Sequence, residues 1–108
     1  MEKRNMKMVK VIIDRPKGYV DKFGNVYPLN YGFVPGIIAG DGEEQDAYIL
    51  GVDDPISEYE GNLIAIIRRT DDVEDKWVVS KYTYSKDEIR KAVNFIEQYF
   101  ESNIELLQ

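Results

Sequence analysis

The spacing of the β-branched runs constrains this fold more than any other feature. Val9-Lys-Val-Ile-Ile13, Ala47-Tyr-Ile-Leu-Gly-Val52, Asn62-Leu-Ile-Ala-Ile-Ile-Arg68 and Lys76-Trp-Val-Val-Ser80 all have strand length, and turn chemistry such as Asp14-Arg-Pro16 or Asp53-Asp-Pro55 stops them. The connections are short, and none holds a helix long enough to cross a sheet. Antiparallel pairing is therefore expected. Lys17 to Asn25 reads as a hairpin or loop. Val26 to Gly36 is aromatic but broken by Pro28, Gly32, Pro35 and Gly36. Proline cannot donate to a ladder, so this segment predicts an irregular edge strand or an extended loop.

The period changes in the last third. Ser85-Lys-Asp-Glu88 has the form of a capping box, and Ile89, Val93, Ile96 and Phe100 then recur as one helical stripe, widened by Ala92, Phe95 and Tyr99. The expected fold class is mainly β with a C-terminal helix: a small OB-type antiparallel β-barrel with a packed α-helix. At 108 residues, 1–108 is a single domain, and an apolar share of 44% suffices for one core.

Composition narrows the chemistry. The chain has no Cys and no His, which removes disulfides, zinc–thiolate sites and thiol catalysis, and fits a reducing, cytoplasmic setting. Its net charge of −6 disfavours nucleic acid and anionic membrane surfaces as partners. The basic start Met1 to Lys7 lacks the apolar stretch of a signal peptide, and no run reaches the length of a membrane span. An OB-type nucleic-acid binder needs a positive groove with stacking aromatics, whereas the basic residues here are dispersed.

Two acidic clusters stand out, Asp41-Gly-Glu-Glu-Gln-Asp46 and Asp71-Asp-Val-Glu-Asp-Lys76. Taken alone, each also reads as a solvated acidic turn. Brought together, they would repel unless cations held them, and an oxygen-only donor set points to a hard divalent ion, Mg²⁺ first. Lys76, and Arg68 with Arg69, alternate base with acid around the second cluster. Tyr27, Tyr31 and Tyr99 could give hydroxyls to a phosphate or simply be half-buried core residues.

In order along the chain, Tyr27-Pro-Leu-Asn-Tyr-Gly-Phe33, Asp41 to Asp46, Asp71 to Lys76, and Phe95-Ile-Glu-Gln-Tyr99 resemble the motifs of family I soluble inorganic pyrophosphatases. The resemblance covers about residues 11–100. It implies a distorted OB-type barrel with helices outside, compact homo-oligomers, and Mg²⁺-dependent hydrolysis of pyrophosphate. By position, it implies that Asp41, Asp46 and Asp75 hold a central pair of metal ions around the attacking water, and that Asp71 helps to bind a further ion. Lys76, Tyr31 and Tyr99 would hold phosphate oxygens, as would Arg15.

The sequence departs from that pattern in particular places. Glu43 stands where the family has the Asp that orients or deprotonates the water, so Glu43 and Asp46 are the expected acid–base groups. Phe100 replaces a phosphate-binding lysine, and the family's early Glu and Lys ligands have no counterpart. The chain is thus expected to be a short member acting on pyrophosphate or another small diphosphate, with weakened activity. The alternative is a non-catalytic relative that binds Mg²⁺ with phosphate or a nucleotide.

Overall fold

The computed structural model describes residues 7–107, so the basic start of the chain lies, up to residue 6, outside the described residues. Strand β1 (Met8–Arg15) is followed by β2 (Asn30–Ile38), β3 (Glu44–Ile49), β4 (Glu58–Arg69) and β5 (Lys76–Ser80), then helix α1 (Lys86–Glu97) and strand β6 (Ser102–Leu106). The sheet runs β1-β2-β3-β5-β4-β6, and a second pairing of β1 with β4 closes the first five strands into a barrel. The expected class, mainly β with an OB-type barrel and one packed helix, is the class observed.

Three expectations about the strands are refined or corrected. The first, a strand over residues 9–13, is observed as β1, with Val9, Val11 and Ile13 buried while Lys10 and Asp14 face water. The second concerns the Pro- and Gly-broken segment, which does not form an edge. Strand β2 lies between β1 and β3. Its Pro35 falls where the β2–β3 register slips between Val34 and Ile38, and Gly36 there takes φ +83°, a bulge that tolerates the missing donor. The third concerns orientation, because β3 and β5 pair in parallel. No crossover helix is needed, since β4 itself carries the chain back and β5 then inserts between β3 and β4.

Strand β6 was not anticipated. It adds Ile104 and its neighbours to the outer half of β4, opposite Ala65 to Arg69. The helix starts as its sequence predicts, with Ser85 Oγ accepting from the Glu88 amide at 3.1 Å and the Glu88 carboxylate accepting from the Ser85 amide at 2.8 Å. Such a cap contributes about 1 kcal/mol. The helix ends at Glu97, so Tyr99 and Phe100 lie just beyond it. No helix among the described residues is long and apolar enough to cross a membrane.

Two cores follow from the period of two. Val9, Val11, Ile13, Val34, Ala47, Ile49, Tyr59 and Val79 come from all five barrel strands and fill its interior. The intervening residues Tyr31, Tyr48, Ile67 and Val78 face outward, where Ile89 and Val93 of α1 and Ile104 of β6 cover them. The candidate site grows from one end of this second layer.

Candidate active site

Cross-strand pairing sets which side chains meet. Tyr31 lies opposite Tyr48, Tyr48 opposite Val78, and Ile67 opposite Lys76. Asp46 shares a face with Tyr48, and Arg69 with Ile67, because each pair is two residues apart on a strand. One sheet face thus carries Tyr31, Asp46, Lys76 and Arg69 toward the same end. Beside them opens a cleft of about 620 Å³, lined also by Arg15, Phe23, Tyr27, Tyr99 and Phe100.

Lys76 is the centre of the polar network. Although only 5% exposed, its Nζ lies 2.6 Å from Asp46 Oδ2, donates to the Tyr31 hydroxyl at 3.0 Å, and contacts the Glu74 carboxylate. A buried ammonium is tolerable only when paired and hydrogen-bonded in this way. Burial pushes the Tyr31 phenol well above its ordinary range, and the Asp46 carboxylate adds to the shift. The phenol therefore stays neutral and retains a proton to donate.

Glu74 also touches the Asp41 carboxyl. Burial raises Glu74 and the contact with Asp41 raises it further, while the same contact and the Glu43 amide lower Asp41. The two carboxyl groups thus lie in contact, and the shift of one opposes that of the other. Among the described residues, however, no three carboxylates gather closely enough to hold a metal ion. The donor set suits Mg²⁺ in kind: it is all oxygen, and Mg²⁺ commonly takes one or two carboxylates plus substrate phosphates. The Asp41–Glu74 pair meets that smaller requirement.

The other expected residues are placed as follows. Asp75 lies on the opposite side of the chain from Lys76, with Oδ2 accepting from Arg68 at 3.1 Å and Oδ1 from the Arg69 amide at 3.3 Å. Its neighbour Glu74, two residues before Lys76 on extended chain, is the acid that reaches the network. Asp71 accepts from the Glu101 amide at 3.1 Å and so pins the hairpin to the segment after the helix. Glu43 is exposed on the turn, its amide donating to Asp41 at 3.0 Å. Arg15 donates to the Tyr27 hydroxyl and lies 5.4–5.7 Å from the ring centres of Tyr19, Tyr27 and Tyr31. Tyr99 lines the cleft and is 64% exposed.

Sequence reasoning missed three residues. Glu74 carries no sequence signal that separates it from the adjacent acid Asp75. Arg69 turns inward, with Nε and Nη2 donating to Glu97 at 3.1 and 2.7 Å and Nη1 to Asp72 at 3.2 Å, under the Phe100 ring at 3.7 Å. Burial alone would lower its guanidinium, but the Glu97 bonds more than reverse this and hold it charged. Glu97 also accepts from the buried Tyr48 hydroxyl at 2.7 Å. A signal for Glu97 existed: an acid at the third position of the apolar series Ile89, Val93, Glu97 needs a partner in the core.

Compared by sequence, the chain matches no protein-family model and no curated protein. Compared by structure, it resembles inorganic pyrophosphatases. That of Ehrlichia chaffeensis is 18% identical, with a TM-score of 0.74 over 95% of this chain and 88% of that one. The enzyme of Helicobacter pylori is 20% identical, with a TM-score of 0.66 over 98% and 87%. That of Coxiella burnetii is 18% identical, with a TM-score of 0.64 over 96% and 87%. At such identities the likeness is one of fold, and the fold of this chain is that of the inorganic pyrophosphatases.

Proposed function

We propose that this chain hydrolyses a small diphosphate, pyrophosphate first, with Mg²⁺ as cofactor. One observation carries the reading: a buried lysine ammonium, held by Tyr31, Asp46 and Glu74, lies on a cleft that Arg15 also lines. The pyrophosphatase fold supports it. Phosphoryl transfer asks of a protein mainly position and charge. Lys76 and Arg15 neutralise phosphate oxygens as charge moves onto the leaving group, and the Tyr31 hydroxyl donates to one of them. Tyr99 closes the outer wall. Asp46, and Glu43 on the turn before it, are the carboxylates available to take the proton of the attacking water. Asp41 and Glu74 would hold Mg²⁺, whose chemistry when bound is to neutralise phosphate charge and acidify a bound water. Asp71 is engaged by the Glu101 amide, and Asp75 by Arg68 and the Arg69 amide. A homo-oligomeric state and a cytoplasmic location belong to the same reading, the first checked by light scattering.

A binding role without turnover is the second reading. The absence of a three-carboxylate cluster among the described residues favours it. Phosphate release from pyrophosphate decides between the two, measured with Mg²⁺ and with EDTA beside Asp46→Ala. The expected result is metal-dependent release that falls about a hundredfold or more in the variant. No release, with Mg²⁺ and pyrophosphate still protecting the fold against heat, establishes the binding role. No release and no protection sinks both.

A further inference from the structure

The cleft holds more than a diphosphate needs. Pyrophosphate is small and carries no carbon, whereas Phe23, Ile96, Tyr99 and Phe100 line one continuous cleft with Lys76 and Arg15. Its volume of about 620 Å³ lies in the range of sites that enclose an organic ligand. Phe23 is the residue hardest to explain otherwise, since it is 79% exposed on a tightly built loop. Asp21 Oδ1 accepts from the amides of Phe23 and Asn25, both at 2.9 Å, and the Gly24 amide donates back to the Asp21 carbonyl at 3.0 Å. The hairpin stem is paired from Gly18 to Tyr27. Lys22 lies 5.4 Å from the centre of the Phe23 ring, which adds a cation beside it. A single exposed aromatic means little. An ordered aromatic on a cleft with cations in its wall and a second exposed aromatic, Tyr99, has the composition of a site for a flat ring joined to phosphates.

We infer that the preferred substrate class is a diphosphate ester bearing a flat heterocycle, such as a nucleoside diphosphate, with its diphosphate on Lys76 and Arg15 and its ring against Phe23 and Tyr99. This rests on the diphosphate reading above and narrows it. Hydrolysis then breaks the bond between the terminal phosphorus and the bridging oxygen. Water gives its hydroxyl to that phosphorus and a proton to the medium, leaving inorganic phosphate and a phosphate monoester.

The test is calorimetric binding with Mg²⁺ of two probes that do not turn over, α,β-methylene-ADP and methylenediphosphonate, to the wild type, Phe23→Ala, Phe23→Tyr and Lys76→Ala. The nucleotide should bind about tenfold more tightly than the bare diphosphonate, the scale of one base–aromatic stack. Phe23→Ala should reduce that ratio to near unity, and Phe23→Tyr should restore it. A ratio near unity in the wild type overturns the inference while leaving the diphosphate reading intact, provided that Lys76→Ala weakens both probes. So does a ratio unmoved by Phe23→Ala, or a Phe23→Ala effect that appears only as a change in oligomeric mass. Failure of both probes to bind, or binding indifferent to Lys76→Ala, overturns the diphosphate reading itself.

Discussion

Two buried cations lie on adjacent strands and on the same sheet face and both approach Glu74, yet their other partners differ. Arg69 on β4 is locked: a two-point pair with Glu97, a bond to Asp72 and the Phe100 ring above it occupy the guanidinium. Lys76 on β5 is held by a phenol and two carboxylates, of which Asp46 lines the cleft. Arginine's planar fork suits a fixed brace, and here it ties helix α1 to the barrel through a partner that also binds Tyr48. Lysine is a point charge whose partners can be exchanged for phosphate oxygens. Burial of charge alone does not mark a site. What marks it is whether the partners of that charge are spent inside the protein or open to a ligand.

The largest expected effect falls on the brace. Glu97→Ala leaves the Arg69 charge and the Tyr48 hydroxyl buried without their partner, which should cost about 3–5 kcal/mol of stability in denaturant unfolding. A loss below about 1 kcal/mol would show that Arg69 is not locked. On the other arm, Lys76→Met should lower phosphate release by about a hundredfold or more while costing less stability than Glu97→Ala. If the two variants lose stability equally and the folded Lys76 variant keeps its turnover, the contrast between brace and site disappears.

The smallest effect sharpens the same contrast through pH. Burial, with Glu97 adding to it, pushes the Tyr48 phenol well above its ordinary value of 10.0. A folded-state value raised above the unfolded one means stability that is whole below about pH 10 and lost as pH rises beyond it. Tyr48→Phe should therefore cost about 1–2 kcal/mol near neutrality, where a hydrogen bond to a charged group is lost. Above pH 10 that deficit should shrink, because the variant has no phenol to ionise. A constant deficit from neutral to alkaline pH would place the Tyr48 hydroxyl outside the buried network.

What could be read from the sequence was local. The capping box at Ser85 and Glu88 involves neighbours on one turn, and the β-branched runs around residues 9–13, 47–52, 62–68 and 76–80 reveal themselves through residue type. Closure of β1 on β4, the parallel pairing of β3 with β5, and the addition of β6 depend on distant partners, and no short window contains them. The same division holds in the site. The order of the motifs pointed to Asp46, Tyr31 and Lys76, which line the cleft, and to Asp41, which touches Glu74. Choosing Asp75 over Glu74 was a matter of which side of an extended chain faces Lys76, and two adjacent acids give no hint of that. Phe23 carried no signal, because its significance lies in an Asp21 turn that presents it across from residues more than fifty positions away.

The seam between β1 and β2 sets a limit on how this chain can vary. A Cβ at Gly32 would stand 1.9 Å from the Ile12 carbonyl oxygen, so every other residue there must part the two strands. One position earlier in β2, Tyr31 pairs with Arg15, whose guanidinium lies 5.7 Å from the centre of the Tyr31 ring. The spacing of these two ligand-facing groups is thus gauged by a hydrogen atom on a neighbouring α-carbon. Drift at Gly32 would be felt first as a miscalibrated pocket, even in a barrel that still closed.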